Sequence, residues 1–89
     1  MNKRTNQLNY EIHGKGTPVI LLHGLFLDHQ LWKPLVNMLV GKARVIIPDL
    51  RGHGRSFATK GTYRMADMAG DILRLMDDLN IKQAVLAGH

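Results

Sequence analysis

The chain has 89 residues, a length that suits one small domain or part of one. Of these residues 45% are hydrophobic, which can support a core. It contains no cysteine, which excludes a disulfide framework, a thiol nucleophile and a zinc–thiolate site. Twelve Lys and Arg against seven Asp and Glu give a net charge of +5. The basic residues are scattered and no nucleic-acid-binding motif accompanies them, so we expect no nucleic-acid partner.

The first residues, Met1–Gln7, are basic and polar, and no apolar segment of the signal-peptide type follows them. The longest apolar stretch, Val19–Leu27, is interrupted by His23-Gly24 and is too short to cross a bilayer. We therefore predict a cytoplasmic protein without a membrane partner. The five histidines show no pair at metal-binding spacing, so we predict neither a metal nor another cofactor and expect each histidine in a loop or turn.

Two strands are predicted at the start of the chain. Apolar and polar residues alternate in Leu8–Ile12, which is typical of a half-exposed strand. Val19–Leu22 is a continuous, partly β-branched apolar run, as in a strand that is buried on both faces of a parallel sheet. This run ends at His23 and Gly24, and the glycine allows the chain to turn sharply there.

A helix is predicted between Asp28 and Gly41, with Asp28 as its cap and Pro34 in its first turn. The apolar residues expected to share one face of this helix are Leu31, Leu35, Met38 and Leu39.

A third strand, Val45–Ile47, ends at Pro48, which has no N–H to donate to a neighbouring strand. The segment Asp49–Ser56 follows, with the sequence D-L-R-G-H-G-R-S. It lacks the third glycine of a dinucleotide fingerprint and the Gly-Lys-Ser/Thr of a P-loop, so phosphate binding is not favoured. We expect a structural loop whose shape is fixed by a contact between Asp49 and Arg51.

Between Met65 and Leu79, apolar residues recur at the spacing of one helix face, and charged residues occupy the other side. The apolar set is Met65, Met68, Ala69, Ile72, Leu75, Met76 and Leu79, and the charged set is Asp67, Asp71, Arg74 and Asp78. Asn80 is placed to end the helix in left-handed geometry. A last apolar strand, Ala84–Ala87, follows.

Strands therefore alternate with helices, which predicts the α/β class, with a mostly parallel sheet and flanking helices. No linker or internal repeat divides the chain, so residues 1–89 are expected to form a single domain or part of one.

Glycine and histidine follow three of the predicted strands, as His23-Gly24, within D-L-R-G-H-G-R-S, and as Gly88-His89. In a nucleophile elbow, G-x-S-x-G, the residue after such a Gly-x pair is the nucleophile, held on a tight turn between strand and helix. This ordered set resembles the N-terminal part of an α/β-hydrolase, of the kind common among bacterial esterases and lactonases. The resemblance extends from about Leu8 to His89, and D-L-R-G-H-G-R-S is its most specific part.

The resemblance implies the roles of individual residues. The backbone N–H of Leu25 would contribute to an oxyanion hole, and Phe26 and Leu27 would lie at the mouth of the substrate pocket. Motif or structural roles, without acid–base chemistry, are implied for His23, Gly24, Asp49, Arg51, Gly52, Gly54, Ser56, Gly88 and His89. A serine after His89 would attack an ester, a lactone or a similar acyl carbonyl, and its acid and histidine partners would follow it in the chain.

None of the three catalytic side chains falls within these 89 residues, so the resemblance implies a truncated fold and an N-terminal fragment of a hydrolase that is inactive as it stands. Ala84–Ala87, central in the family's sheet, would become an exposed apolar edge. Two alternatives stay open. A non-catalytic, ligand-binding relative would be distinguished by the residue after His89, and a short basic binding module by salt-dependent retention on a polyanion.

Overall fold

The computed structural model describes residues 8–24, 27–54, 56 and 64–88, and these form a mixed four-stranded sheet with helices on both faces. The strands are β1 (Tyr10–His13), β2 (Thr17–Leu22), β3 (Ala43–Pro48) and β4 (Val85–Gly88). Their order across the sheet is β1-β3-β2-β4. The predicted α/β class with flanking helices is confirmed.

The strand β1 lies at one edge of the sheet and pairs antiparallel with β3, with Glu11 opposite Ile47. The other two pairings, β2 with β3 and β2 with β4, are parallel. Parallel neighbours need a crossover connection, and here each crossover contains a helix. Consequently β2, β3 and β4 all end at the same edge of the sheet.

The first helical segment starts with a 3₁₀ helix, His29–Trp32, which leads into the α-helix α1 (Lys33–Leu39). The Asp28 carboxylate accepts a hydrogen bond of 2.9 Å from the Gln30 N–H, and Pro34 lies in the first turn of α1, as predicted. The predicted apolar face was wrong in part. Val36 is the buried residue of α1, whereas Met38 is 77% exposed.

The second helix, α2 (Met65–Asp78), begins where Asp67 accepts a hydrogen bond of 3.4 Å from the Arg64 backbone N–H. At its other end Asn80 has a φ of 57°, as the predicted left-handed ending requires. The Asn80 N–H donates to the Asp77 carbonyl and the Ile81 N–H donates to the Met76 carbonyl, at 3.0 and 2.8 Å. This pair of bonds is a Schellman motif, which satisfies carbonyls that the helix leaves without partners.

The core has two halves, one on each face of the sheet, because successive side chains of a strand point to opposite faces. Beneath α2 lie Leu8, Ile20, Ile46, Ile72, Leu75 and Ile81, and beneath α1 lie Leu21, Val36, Ala43, Val45 and Ile47. Each fully buried Ile, Leu or Val contributes about 1.5–3 kcal/mol relative to an exposed one. The inner strands β2 and β3 are therefore covered on both faces, as their continuous apolar runs predict.

The strand β4 is the other edge of the described sheet. Val85 pairs with Val19 and Leu86 pairs with Ile20, yet Val85 and Leu86 are each 55% exposed. As predicted, β4 is an exposed apolar edge strand, and apolar side chains are exposed on both of its faces. In the described part of the chain no helix has the length and apolar character that crossing a membrane requires.

Candidate functional site

Three segments that the sequence singles out meet at the carboxyl edge of the parallel strands. His23 follows β2, Asp49 follows β3, and Gly88 ends β4. The register places Leu22 opposite Gly88, so the start of the segment after β2 adjoins the end of β4. In open α/β sheets, ligands bind at this edge, outside the carboxyl ends of the strands.

His23 is buried, with 3% of its surface exposed, and both of its ring nitrogens are engaged. The Leu50 N–H lies 2.9 Å from its Nε2, and the Gly24 carbonyl oxygen lies 2.7 Å from its Nδ1. Because the amide only donates and the carbonyl only accepts, the ring carries its proton on Nδ1 and is neutral. His23 therefore holds the Gly24 carbonyl in place against the loop after β3.

The Gly24 carbonyl also accepts a hydrogen bond of 3.2 Å from the Leu27 N–H, which closes a four-residue turn. Leu27, predicted at the pocket mouth, is 38% exposed. Leu25 and Phe26, predicted as the oxyanion donor and a pocket residue, lie outside the described residues, and so does His89.

The Asp49 side chain, fully buried, is the anchor of the loop after β3. It accepts hydrogen bonds of 2.7 Å from the His29 backbone N–H and 2.8 Å from the Asn9 side-chain amide. Ser56 links the same two residues, Asn9 and Asp49. Its Oγ accepts a hydrogen bond of 2.8 Å from the Asn9 N–H and donates one to the Asp49 carbonyl. Both polar ends of D-L-R-G-H-G-R-S thus fix the loop against the segment before β1.

The two glycines of this loop both have positive φ, 75° at Gly52 and 51° at Gly54. A Cβ at Gly54 would lie 2.4 Å from the carboxyl carbon of Asp49. Position 54 therefore requires glycine for two reasons. Its φ is positive, and a Cβ there would overlap the buried carboxylate of Asp49.

Arg51 reaches across to α2. Its Nε and a terminal nitrogen donate to the two oxygens of Asp71, at 2.6 and 2.8 Å. The Asp71 side chain is only 1% exposed, so its predicted place on the solvent side of the helix is wrong. The contact between Asp49 and Arg51 that the sequence predicts to fix the loop stays a prediction. The spacing of Asp71 from Met68 and Leu75, three and four residues, could have placed it on the buried face.

Two residues that the sequence analysis did not single out, His29 and Glu11, add a charged network beside this loop. His29 Nδ1 lies 2.7 Å from Asp49 Oδ1, and its Nε2 lies 2.9 Å from Glu11 Oε2. Hydrogen bonds from Lys33 and His13, against the opposing effect of burial, lower the pKa of Glu11 to about 2. No sequence pattern points to this network, because its partners are 18 and 20 residues apart in the chain.

One group of described side chains has the spacing of metal ligands, namely Asp28, His29 and Asp49. Its atoms already bond to one another and to the backbone: Asp28 caps the 3₁₀ helix, and His29 Nδ1 faces Asp49 directly. A metal ion would have to break these bonds, and we assign none to this group.

A cavity of about 270 Å³ lies between α2 and the carboxyl edge of the sheet. Its walls are almost entirely apolar, and they are formed by Leu22, His23, Leu50, Met65, Met68, Ala69, Ile72 and Gly88. It therefore opens beside both the turn after β2 and the end of β4. Such a cavity suits an apolar group of a small ligand.

Known proteins share the fold of this chain. The family model described as "alpha/beta hydrolase fold" matches residues 17–89. A relative from Azorhizobium caulinodans, named "Putative carbamate hydrolase RutD", is 38% identical over 82 residues, which are 92% of this chain and 31% of the relative. The enol-lactonase from Burkholderia xenovorans LB400 has 39% identity and a TM-score of 0.88, covering 91% of this chain and 33% of that one. A thermophilic esterase from Thermogutta terrifontis has 41% identity and a TM-score of 0.88, covering 91% and 30%.

The chain spans about a third of the length of the curated relatives it matches. Within that third, the family model covers β2, β3, β4 and both helices, which carry the site described above. The chain belongs to the α/β-hydrolase fold family.

Proposed function

We propose that the chain supplies the oxyanion-binding turn of a serine hydrolase that acts on carboxylic esters, lactones or similar acyl substrates. The turn is Gly24–Leu27, and the donor is the backbone N–H of Leu25. The nucleophile would be a serine directly after His89, with its acid and histidine partners further along the chain. The proposal assigns no nucleophile, acid or base to the 89 residues themselves, so we expect no hydrolysis by this chain alone.

The observation that carries the proposal is the register of β2 and β4, in which Leu22 lies opposite Gly88. A residue that follows His89 would stand beside the turn that follows β2. Attack by a nucleophile at that point would turn a carbonyl oxygen into an oxyanion, and the donor in the turn would stabilise its charge. The two parts of the chemistry would thus act on one carbonyl group.

His23 supports the proposal through its hydrogen bond to the Gly24 carbonyl. A peptide unit is planar and trans, so its N–H points away from its carbonyl oxygen. By fixing the carbonyl, the ring would set the direction of the N–H in the same peptide unit before a substrate binds. Stabilisation of an oxyanion depends on such preorganised donors.

The apolar cavity under α2 would receive the apolar part of the acyl or alcohol group, with Phe26 and Leu27 at its mouth. An esterase and an enol-lactonase are among the solved structures that share the fold, which supports this class of substrate. We also propose that residues 1–89 form part of one domain of a cytoplasmic protein. Its partner would be a small acyl substrate rather than a nucleic acid or a membrane.

A chimera tests the donor directly. Residues 17–89 replace the matching segment of the Burkholderia enol-lactonase, and hydrolysis of an enol-lactone is measured. The chimera should be active, and Leu25→Pro, which removes the proposed N–H, should lower kcat by about 10²- to 10³-fold. Leu25→Ala is the matched control, because it shortens the side chain but keeps the N–H. A folded Leu25→Pro chimera as active as Leu25→Ala would refute the donor, and a folded but inactive parent chimera would refute the proposed function.

A further inference from the structure

A row of charged groups runs from β1 to the loop after β3 through the imidazole of His29. His29 Nδ1 lies 2.7 Å from Asp49 Oδ1 and its Nε2 lies 2.9 Å from Glu11 Oε2, so each ring nitrogen faces a carboxylate. The exposed fractions of the side chains are 10% for His29, 0% for Asp49 and 35% for Glu11. We call these three residues the His29 clasp.

The contacts favour a doubly protonated ring at His29. A neutral imidazole has a single N–H, so one of its nitrogens would turn a lone pair towards a carboxylate oxygen. With two N–H groups, the ring donates to both carboxylates and is an imidazolium. Asp49 has the donors that an ionised carboxylate needs, since its second oxygen accepts from the Asn9 amide at 2.8 Å.

The clasp lies two residues beyond Leu27, at which the turn that begins at Gly24 ends. The His29 backbone N–H, like its ring, donates to Asp49 Oδ1, at 2.7 Å. Asp28, the residue before His29, caps the 3₁₀ helix by accepting a hydrogen bond from the Gln30 N–H. The segment that leaves the far end of the turn is therefore held to Asp49, the first residue after β3.

The near end of the turn is tied to the next residue. The Leu50 N–H donates to His23, and His23 donates to the Gly24 carbonyl. Asp49 and Leu50, adjacent in the chain, thus hold the two ends of the segment 23–29. At the near end the ring of His23 contacts two backbone groups, whereas at the far end the ring of His29 contacts two carboxylates.

We propose that His29 is a positioning residue, whose imidazolium, held between Glu11 and Asp49, fixes the far end of the turn after β2, and that this turn loosens when the ring loses a proton. The part that concerns the turn's role in catalysis rests on the proposed function. The ionic clasp and the loosening of the turn depend on neither a nucleophile nor a substrate.

The groups around His29 come from four segments. Glu11 and His13 belong to β1, Lys33 to α1 and Asp49 to the loop after β3, and Asp28 lies just before the 3₁₀ helix with its carboxylate within 4.8 Å. Lys33 and His13 act on His29 through Glu11, to which both are paired. Burial lowers the pKa of His29, but the hydrogen bonds and negative charges of Asp49 and Glu11 outweigh it and raise the pKa above 6.5. The turn should therefore be fixed below the midpoint of the His29 titration and should loosen as the pH rises through it.

The first experiment measures the protonation of His29 by ¹⁵N NMR of its ring in the full chain, as a function of pH. Both ring nitrogens should be protonated below the midpoint, and the midpoint should lie above 6.5, the ordinary pKa of histidine. Glu11→Gln removes one carboxylate of the clasp and should lower the midpoint. Asp67→Asn is the matched control, since it removes a carboxylate from an ion pair on α2 and should leave the midpoint unchanged. A midpoint at or below 6.5 in the unaltered chain, whether folded or not, would overturn the proposal.

The second experiment follows amide hydrogen exchange at Leu27, whose N–H closes the turn, and at Ile46 in the central strand β3. Above the His29 midpoint, protection of Leu27 should fall after correction for the intrinsic rate, while that of Ile46 persists. His29→Gln should show low Leu27 protection at every pH. His29→Lys keeps a positive charge, so it should retain protection with no transition near the His29 midpoint. Equal losses at Leu27 and Ile46 would show a merely structural residue and would refute the positioning role.

The outcomes separate this proposal from the proposed function. Both measurements report on the clasp and the turn without any turnover, so they can succeed where the chimera with Leu25→Pro fails. Conversely, an active chimera that responds to Leu25→Pro would stand even if the ring of His29 titrated at its ordinary value.

Discussion

Four buried polar side chains, His23, His29, Asp49 and Asp71, lie close to the carboxyl edge of the sheet, and each has a hydrogen-bonded partner. Buried polar groups are generally satisfied in this way, and the loss of a partner costs about 1–3 kcal/mol, or more for a charged group. The candidate site is therefore held by polar contacts, while the apolar residues of β2 and β3 hold the sheet beneath it.

Glycines in the loop after β3 and in α2 should respond oppositely to replacement by alanine. Gly54→Ala puts a Cβ 2.4 Å from the Asp49 carboxyl carbon at a φ of 51°, so we expect a loss of stability greater than about 1 kcal/mol. Gly70→Ala lies inside α2 with no atom within 4 Å of the new Cβ, and it should stabilise the helix by about 0.5–1 kcal/mol. Urea-induced unfolding of both variants measures the difference. Equal effects would contradict the assigned packing of Gly54 on Asp49.

The titration of Glu11 and His29 predicts a window of greatest stability. The pKa of Glu11 is lowered from 4.5 to about 2, so its contribution is fully present above pH 4.5 and is lost as the pH falls towards 2. The pKa of His29 is raised from 6.5, so its contribution is fully present below pH 6.5 and is lost as the pH rises through the folded value. Both contributions are complete between about pH 4.5 and 6.5.

Thermal unfolding followed across this range of pH tests the window. In Glu11→Gln the decline on the acid side should become shallower, and the decline on the alkaline side should begin at a lower pH because the clasp has lost one carboxylate. A pH profile unchanged by Glu11→Gln would show that these pairs do not contribute to folding stability.

Between elements, the pairing of Arg51 with Asp71 joins the loop after β3 to α2. Arg51→Ala leaves the Asp71 carboxylate, 1% exposed, without its bidentate partner, so we expect a loss of about 3 kcal/mol. Arg74→Ala is the control, because Arg74 is 37% exposed and contacts the same carboxylate at 3.5 Å, and its loss should cost less than about 1 kcal/mol. Chemical denaturation compares the two, and similar losses would contradict the assignment of Arg51 as the main partner.

The elements themselves could largely be predicted from the sequence. Continuous apolar runs predicted β2 and β3. Pro48 predicted the end of β3, and Asn80 predicted the end of α2. The face of α1 could not be predicted in the same way. The segment starts as a 3₁₀ helix, with three residues per turn, so Leu31 does not stay in line with the later apolar residues at the α-helical spacing. Periodicity also shows which residues share a face, but not which face finds a partner.

The candidate site was predictable only where a motif stands at a strand end. His23-Gly24 and Gly88 could be placed at one edge, because parallel strands that alternate with helices end together. The partners of Asp49, Arg51 and His29 could not, since each contact joins segments 18 to 40 residues apart that only the folded sheet brings together.

For the molecule as a whole, the edge strand β4 is the main liability. Leu86 is 55% exposed on β4, which is an edge strand of the sheet that the described residues form, and exposed edge strands favour association with other chains. We expect the 89-residue chain to self-associate and Leu86→Lys to reduce this association. Leu73→Lys is the control, because Leu73 is similarly exposed, at 63%, but lies on α2. Sedimentation velocity measures both variants, and an equal reduction by the two would point to general hydrophobicity instead of the edge.

We have proposed that this member of the α/β-hydrolase fold family carries the oxyanion turn and that a serine nucleophile adjoins it after β4. The most direct measurement is the coding sequence that follows the codon for His89. We predict a serine codon, then any residue and a glycine, at the start of an open frame of about twice the present length, since the chain spans 31–32% of its first two relatives. A residue there that cannot act as a nucleophile, or a stop codon, would contradict the claim and would favour a non-catalytic member of the family.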